Sequence, residues 1–133
     1  MSKLCGAIAL VSIILSLPTT SHSSELCDVL RGAVLIAQDD RNTFLGSIES
    51  EHDSDSIFND YGDYGGEYSD TSIWNKYGDF GGEYSEYSPF NSYSSGPPML
   101  IKGNKIIGYL TVNNYINDGV SPYIVKGMCY RNL

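Results

Sequence analysis

A 16-residue period dominates this chain and limits what it can fold into. Ser56-Ile57-Phe58-Asn59-Asp60-Tyr61-Gly62-Asp63-Tyr64-Gly65-Gly66-Glu67-Tyr68-Ser69 returns, shifted by 16, as Ser72-Ile73-Trp74-Asn75-Lys76-Tyr77-Gly78-Asp79-Phe80-Gly81-Gly82-Glu83-Tyr84-Ser85. A third copy opens at Ser88-Pro89-Phe90-Asn91-Ser92-Tyr93 and decays into Ser94-Ser95-Gly96-Pro97-Pro98, so the repeat region runs over 56–98. A fixed period means that similar units pack in similar ways. Asp55-Ser56 and Thr71-Ser72 have the character of N-caps, each opening a short helical turn that carries Ile and an aromatic. Asn59 and Asn75 can close turns through their side chains. In Tyr-Gly-x-aromatic-Gly-Gly, glycine supplies positive φ and lets the backbone approach an aromatic face. Compact turns are expected, not long helices or strands.

Eleven of the 16 aromatic residues lie between Phe58 and Tyr93, and the only large aliphatics from Ser56 to Tyr93 are Ile57 and Ile73. Rings are therefore expected to anchor these loops. From Glu49 to Glu86 there are 11 acidic residues against one base, Lys76, a net −10. Such charge with Gly and Ser often means disorder. The rings argue for order, because each can bury a large area.

The flanks read as β-hairpins. Ala33-Val34-Leu35-Ile36-Ala37 and Thr43-Phe44-Leu45-Gly46-Ser47-Ile48 are apolar runs around the turn Gln38–Asn42. Met99-Leu100-Ile101 and Ile106-Ile107-Gly108-Tyr109-Leu110-Thr111-Val112 surround Lys102-Gly103-Asn104-Lys105. The second run of each carries apolar-apolar-Gly-x-apolar, where Gly marks a bulge or a close backbone approach. Tyr123-Ile124-Val125 reads as a last strand and Asp28–Arg31 as a helical turn. The expected fold is a small, β-rich single domain: two similar β-hairpins flanking Gly/aromatic repeat loops with short helical turns. The aliphatic core comes from the flanks.

The two ends carry further information. Met1-Ser2-Lys3, the apolar run Leu4–Leu17, Pro18 and the small residues Ser21 and Ser23 form a secretory signal peptide over 1–23. Glu25 just before Cys27 does not fit a lipoprotein signal. Cleavage after Ser23 leaves a single secreted domain, 24–133, of 110 residues and net charge −9. Its two cysteines, Cys27 and Cys129, are expected to pair in an oxidising destination, secreted or periplasmic.

Composition excludes some functions. An acidic chain without clustered Lys and Arg does not bind nucleic acid. No long apolar run follows the N-terminal one, so no membrane interaction is expected after cleavage. His52 is the only histidine after residue 23, which argues against zinc. Calcium is the more reasonable metal and is kept as a weak alternative, through the alternating Glu49, Glu51, Asp53 and Asp55 or the recurring Asp63/Glu67 and Asp79/Glu83, although no EF-hand loop is present. No cofactor is expected. No Gly-x-Ser-x-Gly elbow occurs and few members are available for a triad. Paired carboxylates leave a secreted hydrolase, or a hydrolase accessory, as the alternative function.

The preferred function is a non-catalytic secreted module. It would bind a cell-surface polymer, a cell-envelope glycan or a protein partner through Trp74, Tyr61, Tyr64, Tyr77, Phe80 and Tyr84, whose rings pair apolar faces with polar edges. The bland reading of the same six is that they fill the core. The repeats, with Leu45-Gly46 and Gly108-Tyr109-Leu110-Thr111-Val112-Asn113, resemble small uncharacterised bacterial proteins carrying Ser-Ile-x-Asn-x-Tyr-Gly-x-Tyr-Gly-x-x-Tyr-Ser repeats ahead of Pro-Pro and a terminal hairpin. The resemblance spans roughly Leu35 to Asn114 and departs at Ser92, where Pro is more usual. It implies this architecture and a bacterial exterior or periplasm, and it carries over no catalytic residue.

Overall fold

The computed structural model describes residues 22–133; the predicted signal peptide lies outside them apart from its last two residues. The elements are α1 (His22–Leu30), β1 (Val34–Ile36), β2 (Phe44–Ser47), β3 (Met99–Lys102), β4 (Lys105–Leu110), β5 (Gly119–Val120) and α2 (Pro122–Cys129). The five strands form one mixed sheet in the order β2-β1-β3-β4-β5. Each neighbouring pair among the first four in that order is antiparallel, and β5 runs parallel to β4. The result is a small β-rich domain with two short helices.

Local chemistry explains the strand ends. Gly103 and Asn104 have φ of +59° and +61°. Two successive positive φ values give the turn whose twist suits a two-residue hairpin, and Gly and Asn tolerate them best. In the β1–β2 connection, Asp39 accepts bonds from the Thr43 backbone N–H (2.9 Å) and the Thr43 hydroxyl (2.6 Å). Partial desolvation pushes the Asp39 carboxyl up, but these bonds and others from the backbone hold it below its ordinary value. The register slips by one residue between β1 and β2, and again between β3 and β4 beside Gly108. A Cβ on Gly46 (φ +105°) would lie 2.6 Å from Tyr64 Cβ, and one on Gly108 would lie 2.7 Å from the Asp118 carbonyl. Both glycines are therefore points of close approach.

The predicted strand Tyr123-Ile124-Val125 is instead part of α2. Ser121 caps that helix by accepting the Tyr123 N–H at 3.2 Å, and Pro122 occupies its first turn. Proline fits there because its missing N–H would have had no helical partner. Pro122, Val125 and Cys129 are buried at helical spacing, so the face they form outweighs the strand preference of Ile and Val. The helical reading of Asp28–Arg31 agrees with α1 up to Leu30. Lys102 of β3 donates to the Val29 carbonyl at 2.9 Å, near the end of α1 where carbonyls lack helical partners.

Cys27 and Cys129 form a disulfide that ties α1 to α2, with Cα atoms 5.5 Å apart across a separation of 102 residues. Around it, Leu30, Ala33, Leu35, Ala37, Leu45, Ile48, Leu100, Leu110 and Val125 make the aliphatic core. No helix among the described residues is long and apolar enough to cross a membrane.

The repeats enter and leave through the sheet. Ser47 of β2 donates its N–H to the Asp55 carbonyl at 2.8 Å and accepts the Ile57 N–H at 2.9 Å. At the far end, Leu110 donates to Pro98 and Val112 to Pro89. Between these points the chain is a succession of single turns closed by bonds from residue i+3 to residue i, except that Gly66 donates to Gly62 and Gly82 to Gly78, four residues back. The expected helical turns at Ser56 and Ser72 are such single turns, and the serine hydroxyls accept from the N–H two residues on. Of Thr71-Ser72 it is Ser72 that caps the turn; the Thr71 hydroxyl donates to the Asp63 carbonyl at 2.9 Å.

Two expectations about the repeat are overturned. Its glycines do not adopt positive φ; among the described residues, Gly32, Gly46 and Gly103 do. Gly65 and Gly81 matter for space instead, since a Cβ there would fall on the Asn59 or Asn75 backbone carbonyl. Nor do rings dominate the interior. Ile57, Ile73 and Pro89, at equivalent positions of the three copies, are fully buried together with Ser56, Ser72 and Ser88. Phe58 is the one repeat ring in the buried core, and Trp74 and Phe80 pack partly against it.

Candidate functional site: an aromatic groove and a row of exposed tyrosines

One hydrogen-bonded unit recurs along the repeat. Asn59, Asn75 and Asn91 each accept through Oδ1 the N–H of the tyrosine two residues on, Tyr61, Tyr77 and Tyr93, at 3.0, 3.1 and 3.0 Å. Each donates through Nδ2 to a carbonyl six residues back, on Asp53, Ser69 and Ser85, at 3.1, 3.0 and 3.0 Å. The amide thus satisfies two backbone groups that no ladder could reach.

The unit occurs a fourth time, where the fixed period does not place it. Asn113 accepts the Tyr115 N–H at 3.0 Å and donates to Ser94 O at 2.9 Å. The buried Thr111 hydroxyl accepts the Asn113 N–H at 2.9 Å, much as the repeat serines do. Asn113 lies 22 residues after Asn91 because β3 and β4 intervene. The Asn-x-Tyr pattern itself was legible; its changed spacing hid it from a comparison at a fixed period.

Neighbouring units touch in order. The Trp74 indole N–H donates to the Ile57 carbonyl of the first copy. The Trp74 ring meets Phe90 of the third at 5.7 Å. The third meets the fourth through Val112 and Asn113. At the same point of each turn stands a tyrosine open to solvent. Tyr61 is fully exposed, and Tyr77, Tyr93 and Tyr115 are 81%, 91% and 94% exposed. Tyr68 and Tyr84, a second equivalent pair, are also exposed.

Between the second and third copies and α2 lies a groove of about 700 Å³. Trp74, Tyr77, Tyr84, Phe90 and Tyr123 line it, with Lys76 and Glu83 supplying charge. Phe90 and Tyr123 meet edge-on at 5.1 Å. Trp74 also lines a second cleft, of about 420 Å³, together with Asp60, Glu67 and Lys126. The Lys126 ammonium sits 4.4 Å from the indole centroid. Two further cations lie near rings, Lys76 at 5.3 Å from Tyr77 and Arg131 at 5.8 Å from Tyr130. Desolvation, followed by the Asp60 and Glu51 charges, holds the Tyr130 hydroxyl above its ordinary value, and that hydroxyl donates to Asp60 at 3.3 Å.

Of the six residues singled out from sequence, Trp74, Tyr77 and Tyr84 meet in the larger groove. Tyr61 is exposed outside that lining. Tyr64 packs edge-on against Phe44 at 4.9 Å, and Phe80 packs partly on the core with Tyr87 at 6.5 Å. Sequence reasoning missed Phe90 and Tyr123 as lining residues. Phe90 sits at the repeat position of Trp74 and could have been found that way. Tyr123 reaches the groove only because α2 folds back.

Among the described residues, no three His, Cys, Asp or Glu side chains are placed to share a metal ion. The ion pairs among them are Arg31 with Asp28 and, when the imidazole is protonated, His52 with Glu51, so the acidic residues of the repeat copies are in none. Comparison with protein-family profiles, with characterised proteins and with solved structures finds no match.

Proposed function

We propose that this chain is a non-catalytic secreted module. It binds a cell-surface polymer or protein partner through the aromatic surface of its repeats. The observation that carries the reading is the groove in which Trp74, Tyr77 and Tyr84 meet Phe90 and Tyr123. Flat rings bordering a concave surface, with few charges, suit an extended ligand that offers both apolar faces and polar edges. Export is supported by the Cys27–Cys129 disulfide, since such bonds persist in oxidising compartments. The two glycine-bearing antiparallel pairs act as equivalent supports on either side of the repeat.

Tyr77→Ala and Tyr84→Ala are the informative substitutions, because both side chains are exposed and their loss leaves the interior intact. Trp74→Ala is a poor choice: it removes the bond to Ile57 and the contact with Phe90 together. The double variant Tyr77→Ala/Tyr84→Ala is expected to lose capture by purified cell envelope at least tenfold, with an unchanged thermal midpoint. Equal capture by the variant and the parent would refute the reading.

A further inference from the structure

We infer that the partner is a protein, and that this surface takes an extended segment of it rich in arginine or lysine. The inference rests on the binding reading above and specifies its ligand. Three observations carry it.

The first is repetition. Tyr61, Tyr77, Tyr93 and Tyr115 stand at the same point of four successive turns, each oriented by an asparagine that bonds the tyrosine N–H. The turns touch in sequence, so four equivalent exposed phenols follow one another along the packed turns, past the repeat and into the loop before β5. A row of equivalent sites fits a chain with a repeating feature better than a single small molecule.

The second is charge. The row runs beside a stretch with 11 acidic residues and one base between Glu49 and Glu86. Among the described residues, none of the repeat acids is in an ion pair. Their field is available to a cationic partner and disfavours an anionic one.

The third is that rings of this surface already hold the molecule's own ammonium groups in this manner. Lys126 lies over Trp74 in a cleft shared with Asp60 and Glu67, and Lys76 lies near Tyr77. An aromatic face attracts a cation through its quadrupole, and a nearby carboxylate strengthens the arrangement. Arginine fits best, because its planar guanidinium stacks on a phenol while its N–H groups stay free for carboxylates. The exposed Tyr93 and Tyr115 offer the same faces, and among the described residues no internal cation lies over them.

The test uses the chain from Ser24 onward with its disulfide intact. The probes are a ten-residue Arg-Gly alternating peptide, its Glu-Gly counterpart and a neutral β-1,4-linked N-acetylglucosamine oligomer, followed by calorimetry and by tyrosine ring NMR shifts. The Arg-Gly peptide is expected to bind and to shift the Tyr77, Tyr93 and Tyr115 ring signals, while the Glu-Gly peptide does not bind. Tyr93→Ala/Tyr115→Ala should weaken binding about tenfold, roughly threefold per ring. Tyr93→Phe/Tyr115→Phe should restore it to within about twofold, because the ring face and not the hydroxyl makes the contact. Affinity that falls with salt but ignores the alanine pair would overturn the inference in favour of diffuse charge attraction. Binding of the neutral sugar without the Arg-Gly peptide would also overturn it, yet would leave the aromatic binding module standing. Envelope capture by Tyr77→Ala/Tyr84→Ala reports on that broader reading separately.

Discussion

Single positions in this chain answer to space as much as to conformation. Gly81 lies where a Cβ would meet the Ile73 carbonyl at 2.6 Å and fall on the Asn75 carbonyl, and Gly65 occupies the same place in the first copy. Backbone cannot move aside as a flexible side chain can. Gly81→Ala is therefore expected to cost at least about 3 kcal/mol, or to prevent folding. Gly127 is the counterexample: it lies inside α2, is exposed, and has nothing within 4 Å of its would-be Cβ. Gly127→Ala should stabilise by about 0.5–1 kcal/mol, by lowering the entropy of the unfolded chain and improving helix propensity. Urea denaturation of the two variants beside the parent checks both signs. The six glycines of the two full copies look alike in sequence, and an expectation of positive φ was reasonable for all of them. All six have a backbone carbonyl nearby, and which of them leave no room for a Cβ, Gly65 and Gly81, depends on where the turns come to lie.

At the level of the element, the repeat is held by amides and hydroxyls more than by rings. Asn75 is nearly buried and makes two bonds to backbone groups, and its counterparts in the other units do the same. Removing that amide leaves the Ser69 carbonyl and the Tyr77 N–H without their partner. Asn75→Ala should cost about 2 kcal/mol, whereas Asn114→Ala, at an exposed neighbour of Asn113, should stay within about 0.5 kcal/mol. Denaturant midpoints of the two variants provide the comparison. The turn-closing role of Asn59 and Asn75 was legible beforehand, because asparagine has few other reasons to recur at that spacing in a Gly-rich loop. The conclusion that rings must anchor the loops failed for an identifiable reason. It counted apolar area within the repeat and left out the aliphatic face of the sheet, which Ile57 and Ile73 reach directly. With those two residues and Pro89 seated, the tyrosines were free to face water. The misreading of Tyr123–Val125 has a similar source. A three-residue run carries no period, and Ser121-Pro122 ahead of it was the stronger signal.

Across the whole molecule, one covalent bond joins the two helices that begin and end the described chain. The loop it closes spans 102 residues, and for a loop of this length the chain-entropy account gives about 4–5 kcal/mol. That is a large share of what a domain of this size has in total. The double variant Cys27→Ala/Cys129→Ala is expected to lose most of this, lowering the urea midpoint sharply or leaving the chain unfolded at 37 °C. A midpoint shift worth under about 1 kcal/mol would show that the sheet and repeats hold the ends together unaided. The acidic surface acts at this scale too. With ion pairs absent from the repeat acids among the described residues, self-repulsion should ease as salt rises.

The covalent pairing, the turn character of the middle and the β character of the flanks follow from local chemistry, and the sequence alone determined them. The two thiols that follow residue 23, Cys27 and Cys129, have only each other as partners, Gly and Asn select turns, and Gly103-Asn104 selects a tight hairpin. Only the tertiary structure decided which rings face inward, where the fourth asparagine unit stands, and that Tyr123 closes the groove. Those outcomes depend on contacts between segments far apart in the chain. A tyrosine's ring can be buried or exposed at similar local cost, so its neighbours in space, and not its neighbours in sequence, make the choice.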